Sequence, residues 1–223
     1  MPRFRTFLFD LDGTLIDHFS AIHRCHAHTM RKLGLPAPTP VQVRAAVGGG
    51  LENAIARLAG PGRVAEALKI YRPYWDQTLL DGVSLLPGAD ELLRELHDNG
   101  STLAVLTNKL GSSSRLICDH LGIAPWFATI VGAQDTPWLK PEPRLTQHLL
   151  HHLRADAAST LLVGDSPYDI QAAHSGKLPG WCVTTGTHTA GELRTAGADA
   201  IFGDLFEMRK ALRPFVTPGP THP

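Results

Sequence analysis

Residues 7–16 read Phe-Leu-Phe-Asp-Leu-Asp-Gly-Thr-Leu-Ile, an apolar run that carries two carboxylates, Asp10 and Asp12, to its end and breaks at Gly13. A strand buried on both faces reads as such a run, and open α/β sheets bind ligands beyond the carboxyl ends of their strands. Two acids delivered to that edge call for a cation. The plainer alternative for this segment alone is a strand closed by a solvated Asp-Gly turn. The order of residues further along the chain decides between them.

Working outward, residues 18–80 carry no strand pattern. Apolar positions recur at helical spacing in Ala21–Leu33, Leu51–Leu58 and Val64–Leu80, with Pro36, Pro38 and Pro40 and the run Gly48-Gly49-Gly50 as breaks, which predicts three or four short helices. From residue 87 strand and helix alternate. Helix Ala89–His97 leads to strand Thr102–Leu106, helix Ser112–Leu121 and strand Ala128–Val131. Helix Leu145–Leu153, strand Thr160–Val163, helix Asp169–Ser175 and strand Trp181–Thr184 continue the beat. Ala190–Thr195, Ala198–Ile201 and Leu205–Leu212 complete it. The pattern implies an α/β fold with a doubly wound parallel sheet, interrupted after its first strand by a small α-helical cap over the sheet's carboxyl edge. The expected division is a core of residues 1–17 and 81–213, a helical cap of 18–80, and a Pro-rich disordered tail of 214–223.

The chain has 223 residues, enough for a full core, and its 21 Lys and Arg balance its 21 Asp and Glu. No basic stripe favours nucleic acid or an anionic membrane surface, so neither partner is expected. Cys25, Cys118 and Cys182 are odd in number and outside any CxxC spacing, as reduced thiols in a cytoplasm are. Met1–Arg5 runs into the first strand without the apolar stretch of a signal peptide, and no segment approaches eighteen apolar residues. A cytoplasmic protein, monomeric or homodimeric, is expected.

Several expected strands end in polar residues suited to a phosphate. After Thr102–Leu106 come Thr107 and Asn108; after Thr160–Val163 comes Gly164-Asp165-Ser166-Pro167-Tyr168-Asp169; Lys140 lies in Leu-Lys-Pro-Glu-Pro beyond the Ala128–Val131 strand. Singly, each has an ordinary reading: Thr107-Asn108 as a helix cap, Gly-Asp-Ser as a turn, Lys140 as a solvated lysine. Together and in this order they resemble the haloacid dehalogenase superfamily, in its capped phosphatase branch, with phosphoglycolate phosphatases the nearest pattern. The resemblance covers residues 4–212 and implies a Rossmann-like core. It makes Asp10 the nucleophile, Asp12 the general acid and base, Thr107, Asn108 and Lys140 the phosphate-binding groups, and Asp165 and Asp169 the distal acids.

Chemistry gives each implied role a reason. A carboxylate nucleophile forms an aspartyl-phosphate that splits one displacement into two easier ones, and a second carboxyl can protonate the leaving alkoxide and then deprotonate water. A phosphate dianion meets several carboxylates only if a divalent cation offsets the repulsion. Mg²⁺ suits oxygen ligands, here Asp10, the Asp12 backbone carbonyl and Asp165, with Asp169 orienting that shell. Lys140, Thr107 and amides near Asn108 stabilise the transferred phosphoryl, and Lys109 is a second candidate cation. The implied reaction is Mg²⁺-dependent hydrolysis of a small phosphate monoester, 2-phosphoglycolate first.

The cap is where the resemblance places substrate choice. Arg24 and Arg44 are candidates for a substrate carboxylate, Gly49 for backbone approach to an anion, and His23 for the role of a mutase cap histidine. The run His18, His23, His26, His28 does not put three imidazoles on one helix face, so a polar face is favoured over a metal site. Asp12 argues against dehalogenation and phosphonate hydrolysis, whose family members lack that second acid. A sugar phosphomutase is disfavoured because Ile22 stands twelve residues past Asp10, with His23 one beyond. A promiscuous phosphatase and a non-catalytic binding protein complete the alternatives. Pro167-Tyr168, His174-Ser175-Gly176 and Trp138 depart from the family pattern.

Overall fold

The computed structural model describes residues 4–216. Strand β1 (Thr6–Phe9) is buried along its whole length and turns tightly into the short strand β2 (Ile16–Asp17). Helices α1 (Phe19–Lys32), α2 (Pro40–Ala46), α3 (Leu51–Ala59) and α4 (Val64–Thr78) follow, and strand β3 (Ser84–Leu85) then returns antiparallel to β2. Alternation begins with α5 (Ala89–Asp98), β4 (Thr102–Leu110), α6 (Gly111–His120) and β5 (Thr129–Ala133). It continues through α7 (Pro143–Leu153), β6 (Thr160–Gly164), α8 (Pro167–Ser175) and β7 (Gly180–Val183). It ends with α9 (Ala190–Thr195), β8 (Ala200–Phe202) and α10 (Leu205–Leu212).

The sheet order is β5-β4-β1-β6-β7-β8, and every pairing is parallel. Phe7 lies opposite Leu103 on one side and Leu161 on the other, so the first strand is central. The connections leave β1 toward β4 and later reach β6 on its other side, which opens a crevice beyond the carboxyl ends of these three strands. That crevice receives Asp10 and Asp165 from just past the ends of β1 and β6, and Thr107 from β4 between them and β5.

Local chemistry explains the elements. Along α5, Ala89, Leu92, Leu93 and Leu96 recur at helical spacing and are buried against the sheet. Thr39 and Gln42 form a capping box at the start of α2, with Pro40 in the first turn. Side chains from the helical layer, including Ile55, Tyr71 and Trp75, share one apolar cluster with Phe7 and Phe9 of β1. Burial of so much apolar surface, at roughly 25 cal/mol per Å², holds the helices over the sheet edge.

Three details differ from the sequence expectation. Strand β4 runs on to Leu110, so Thr107 and Asn108 lie within it, at a shift of register against β5 between Leu106 and Leu110. The β2–β3 pair has two residues per strand, too few for a periodic signal. Arg213–Phe215 forms a turn whose Phe215 ring stacks on Phe4, and Val216 bridges to Phe4, so the expected tail does not begin at residue 214. The rest of that tail, 217–223, lies outside the described residues.

Candidate active site

Beyond β1 the chain turns at Gly13, whose φ of +79° is left-handed; a Cβ there would stand 2.7 Å from the Gly186 Cα. This close approach brings the loop after β7 against the end of β1. Thr185 Oγ1 donates to the Gly13 carbonyl at 2.7 Å, and the Thr187 amide donates to Asp165 Oδ2 at 3.1 Å. Thr14 Oγ1 donates to Asp165 Oδ1 at 3.3 Å. The Asp165 carboxylate is thus fixed from two loops.

Asp169 closes the far side. Its Oδ2 accepts from the Ser166 amide at 3.0 Å and the Ser166 hydroxyl at 2.5 Å, within the capping box that starts α8. Its Oδ1 accepts from Lys140 Nζ at 2.6 Å, and the same ammonium stands 2.8 Å from Asp10 Oδ1, off that atom's hydrogen-bonding direction. Asp10, Asp165 and Asp169 each offer an oxygen within 4.8 Å of the others. Three acids with one buried ammonium carry excess negative charge. Burial first, opposed in part by Lys140, raises the Asp10 carboxyl to about 6. Burial, then the Asp169 and Asp10 charges, pushes Asp165 well above the carboxylate range. Burial disfavours the Lys140 cation, but Asp10 and Asp169 outweigh it and raise its pKa. Hard oxygen donors, unrelieved negative charge and close backbone at Gly186, where a Cβ would fall 1.8 Å from Asp165 Oδ2, fit a small divalent cation.

Asp12 stands apart from that trio. Lys109 Nζ lies 2.8 Å from its Oδ2 and 3.1 Å from its Oδ1, and His18 Nδ1 stands 3.6 Å away. The His18 Nε2–H donates to the Leu79 carbonyl at 2.6 Å. Burial works against the Asp12 anion, but Lys109 and His18 outweigh it and hold the carboxyl well below the usual range. The Asp12 side chain is thus engaged by Lys109 and His18, away from the acidic trio.

The sequence expectations sort unevenly. A cleft of about 370 Å³ between sheet edge and helices is lined by Asp10, Asp12, Thr107, Asn108 and Asp165. Lys109 lines it too, with its ammonium paired to Asp12, whereas Lys140 is buried between Asp10 and Asp169 and does not line it. Asn108 is spent on backbone: its Nδ2 donates to the Gly48 and Lys140 carbonyls and its Oδ1 accepts from the Lys140 amide at 2.7 Å. It ties the two loops together. In the helical layer, Arg44 reaches the cleft, stacked 3.9 Å over Phe19.

Three expected cap residues do not reach the cleft. Arg24 donates to the Thr78 and Asp81 carbonyls, and His23 Nε2 bonds the Pro38 carbonyl, so in this structure both are engaged with backbone away from the cleft lining. Gly49 is covered by Tyr168, whose hydroxyl would stand 2.7 Å from an added Cβ; Gly48 and Gly50 face the cleft instead. The helical positions of Arg24 and His23 gave no clue to direction, and Gly49 lies in the loop between α2 and α3. The sequence reading missed Tyr71, Trp75, His26 and the Thr185–Thr187 loop. The last follows a strand's carboxyl end, so the rule that found Asp165 could have found it.

The model of haloacid dehalogenase-like hydrolases matches residues 7–179. The chain belongs to that family. Among similar proteins, the probable phosphatase IndB of Dickeya dadantii is 32% identical, with 90% of each chain covered. A phosphoglycolate phosphatase of Vibrio cholerae is 30% identical, covering 92% of this chain and 95% of its own. Among solved structures, a predicted phosphoglycolate phosphatase from Haemophilus somnus superposes with a TM-score of 0.88 at 26% identity, over 95% of this chain and 99% of its own. No helix among the described residues is long and apolar enough to cross a membrane.

Proposed function

We propose that this haloacid dehalogenase-like hydrolase is a Mg²⁺-dependent phosphatase of small organic phosphate monoesters, acting through an aspartyl-phosphate on Asp10. The observation that carries the reading is the gathering of Asp10, Asp165 and Asp169 within 4.8 Å around Lys140, at one end of a cleft that also holds Asp12 and Lys109. Asp10, Asp165 and the Asp12 carbonyl would hold the cation, and Asp169, anchored by Ser166, would orient them. When bound, the cation neutralises phosphate and carboxylate charge and allows the two anions to approach.

In the first half-reaction an Asp10 oxygen attacks phosphorus, the bond to the ester oxygen breaks, and a proton passes from Asp12 to the departing alkoxide. In the second, water attacks phosphorus, Asp12 takes its proton, and the bond to Asp10 breaks. The ionised Asp12 held by Lys109 suits the second step. For the first, an arriving phosphate draws the Lys109 ammonium to itself, and the freed carboxyl can hold a proton. Lys109, the Thr107 hydroxyl and nearby amides then share the phosphoryl charge. Lys140 keeps Asp10 oriented while it is attacked.

The names of the relatives make 2-phosphoglycolate the first ester to assay, with Arg44 at the cleft rim the group that could meet its carboxylate. The three buried free cysteines support the cytoplasmic reading. Phosphate release from 2-phosphoglycolate, hexose phosphates, nucleotides and an aryl phosphate, with and without Mg²⁺, tests the reaction. Metal-dependent release is expected, falling by about 10³-fold or more in Asp10→Asn. Release that survives Asp10→Asn would end the covalent mechanism.

A further inference from the structure

The cleft is divided by chemistry. Its floor carries the phosphate-site residues, but its inner wall, from β2 and helices α1, α3 and α4, carries a run of uncharged side chains. Ile16, Ala54, Tyr71, Trp75 and His26 are buried there, with Leu51 half-buried. Tyr71 and Trp75 stack at 5.8 Å and 22°, and His26 lies 4.9 Å from Tyr71. The His26 imidazole makes no hydrogen bond to a described residue, its Nδ1 is buried without a partner, and burial lowers its pKa to about 4, so it is neutral at pH 7. The charged lining residues Asp17, Arg44, Glu52, Arg72 and Asp76 are all exposed, on the rim. Four of them are engaged: Arg72 lies 3.5 Å from Glu52, Arg44 is stacked on Phe19, and Asp17 Oδ1 accepts from the Phe19 amide at 3.2 Å.

Resting on the phosphatase reading, we propose that the preferred substrate is the phosphate monoester of an alcohol carrying an uncharged ring, the ring lying against Tyr71, Trp75 and His26. A cleft of about 370 Å³ falls within the range of about 300–1,000 Å³ that holds sizeable ligands. A two-carbon acid esterified at the Asp10 end leaves most of the aromatic wall untouched. The ammonium nearest that wall, Lys109 Nζ 4.7 Å over the Trp75 ring, is already paired with Asp12 at 2.8 Å, so a second carboxylate there would have to compete for it. An uncharged ring gains by burial and by stacking on Tyr71 and Trp75, and the His26 ring packed beside Tyr71 sets no charge against it.

The test compares kcat/KM for benzyl phosphate, ethyl phosphate and 2-phosphoglycolate with Mg²⁺. The leaving groups are all alkoxides, and the last two share a two-carbon length but differ in charge. Benzyl phosphate is expected to lead both by about tenfold or more, and the benzyl-to-ethyl ratio to fall toward one in Tyr71→Leu and His26→Leu. If the small esters turn over as well as benzyl phosphate or better in the wild type, the ring preference is overturned and the phosphatase reading stands. Binding of benzylphosphonate and methylphosphonate, measured by calorimetry, covers the case in which no ester turns over and the phosphatase reading fails. Tighter binding of the benzyl compound by about tenfold supports a ring site even then, and equal binding overturns it.

Discussion

Lys140 is the single ammonium between two buried carboxylates, 2.8 Å from Asp10 and 2.6 Å from Asp169. Truncating one partner of such a cluster leaves buried charge unanswered, so Lys140→Met is expected to lose turnover and about 3–5 kcal/mol of stability in urea unfolding. An unchanged midpoint would mean that the acids do not depend on it. His26 predicts a pH effect of definite sign. Its pKa is about 4 in the fold against 6.5 for the free side chain, so the unfolded chain binds the extra proton. Stability from this group is full above pH 6.5 and declines as pH falls toward 4, by up to about 3 kcal/mol. Unfolding of wild type and His26→Phe at pH 7 and pH 5 checks it: the variant should lose less on acidification. At this scale the sequence was informative for Asp10, Asp12, Asp165 and Asp169, whose strand ends dictate where they arrive. It was uninformative for Arg24 and His23, because a helical position fixes a side chain's angle about its own axis and nothing about the helix's orientation on the sheet.

The pairing of β4 with β5 shows how an element places a site. Gly132 on β5 packs so closely on β4 that an added Cβ would stand 2.4 Å from the Lys109 carbonyl and 2.8 Å from the Gly111 Cα. Both obstacles are backbone and cannot rotate away. Gly132→Ala is therefore expected to cost roughly 1–3 kcal/mol and to displace Thr107–Lys109, lowering kcat more than it raises KM. Thermal unfolding and steady-state kinetics read both, and a neutral substitution would show that the strands can separate without loss. This packing also explains why the strand outran its expected end. An apolar run marks where a strand is buried, and it stops at Leu106, whereas the ladder to β5 resumes at Leu110 through backbone bonds that side-chain patterning does not report. The same limit hid β2 and β3, while long periodic segments such as α5 were readable.

Across the whole molecule, the parallel sheet and the helical layer over its edge followed from alternation and from one interruption after the first strand. The cleft's aromatic wall did not, since Tyr71 and Trp75 read from sequence as ordinary core of α4 and become a wall only when that helix is laid across the crevice. The cysteines are spread over the same architecture, and each is fully buried: Cys25 in α1, Cys118 in α6 and Cys182 in β7. Burial pushes the Cys25 and Cys118 thiols up to about 12 and raises Cys182 as well. A disulfide reagent at pH 8 is expected to find no thiol in the folded protein within minutes and all three once urea is added. Rapid reaction of one in the native state would reveal local opening around it. Silent native thiols make the molecule a clean background for attached dyes. Cysteines introduced at Val41 on α2, 75% exposed, and Leu116 on α6, 54% exposed, would be its only fast-labelling sites. A donor and acceptor pair there would turn the gap between helices and sheet into an optical ruler, readable one molecule at a time during turnover.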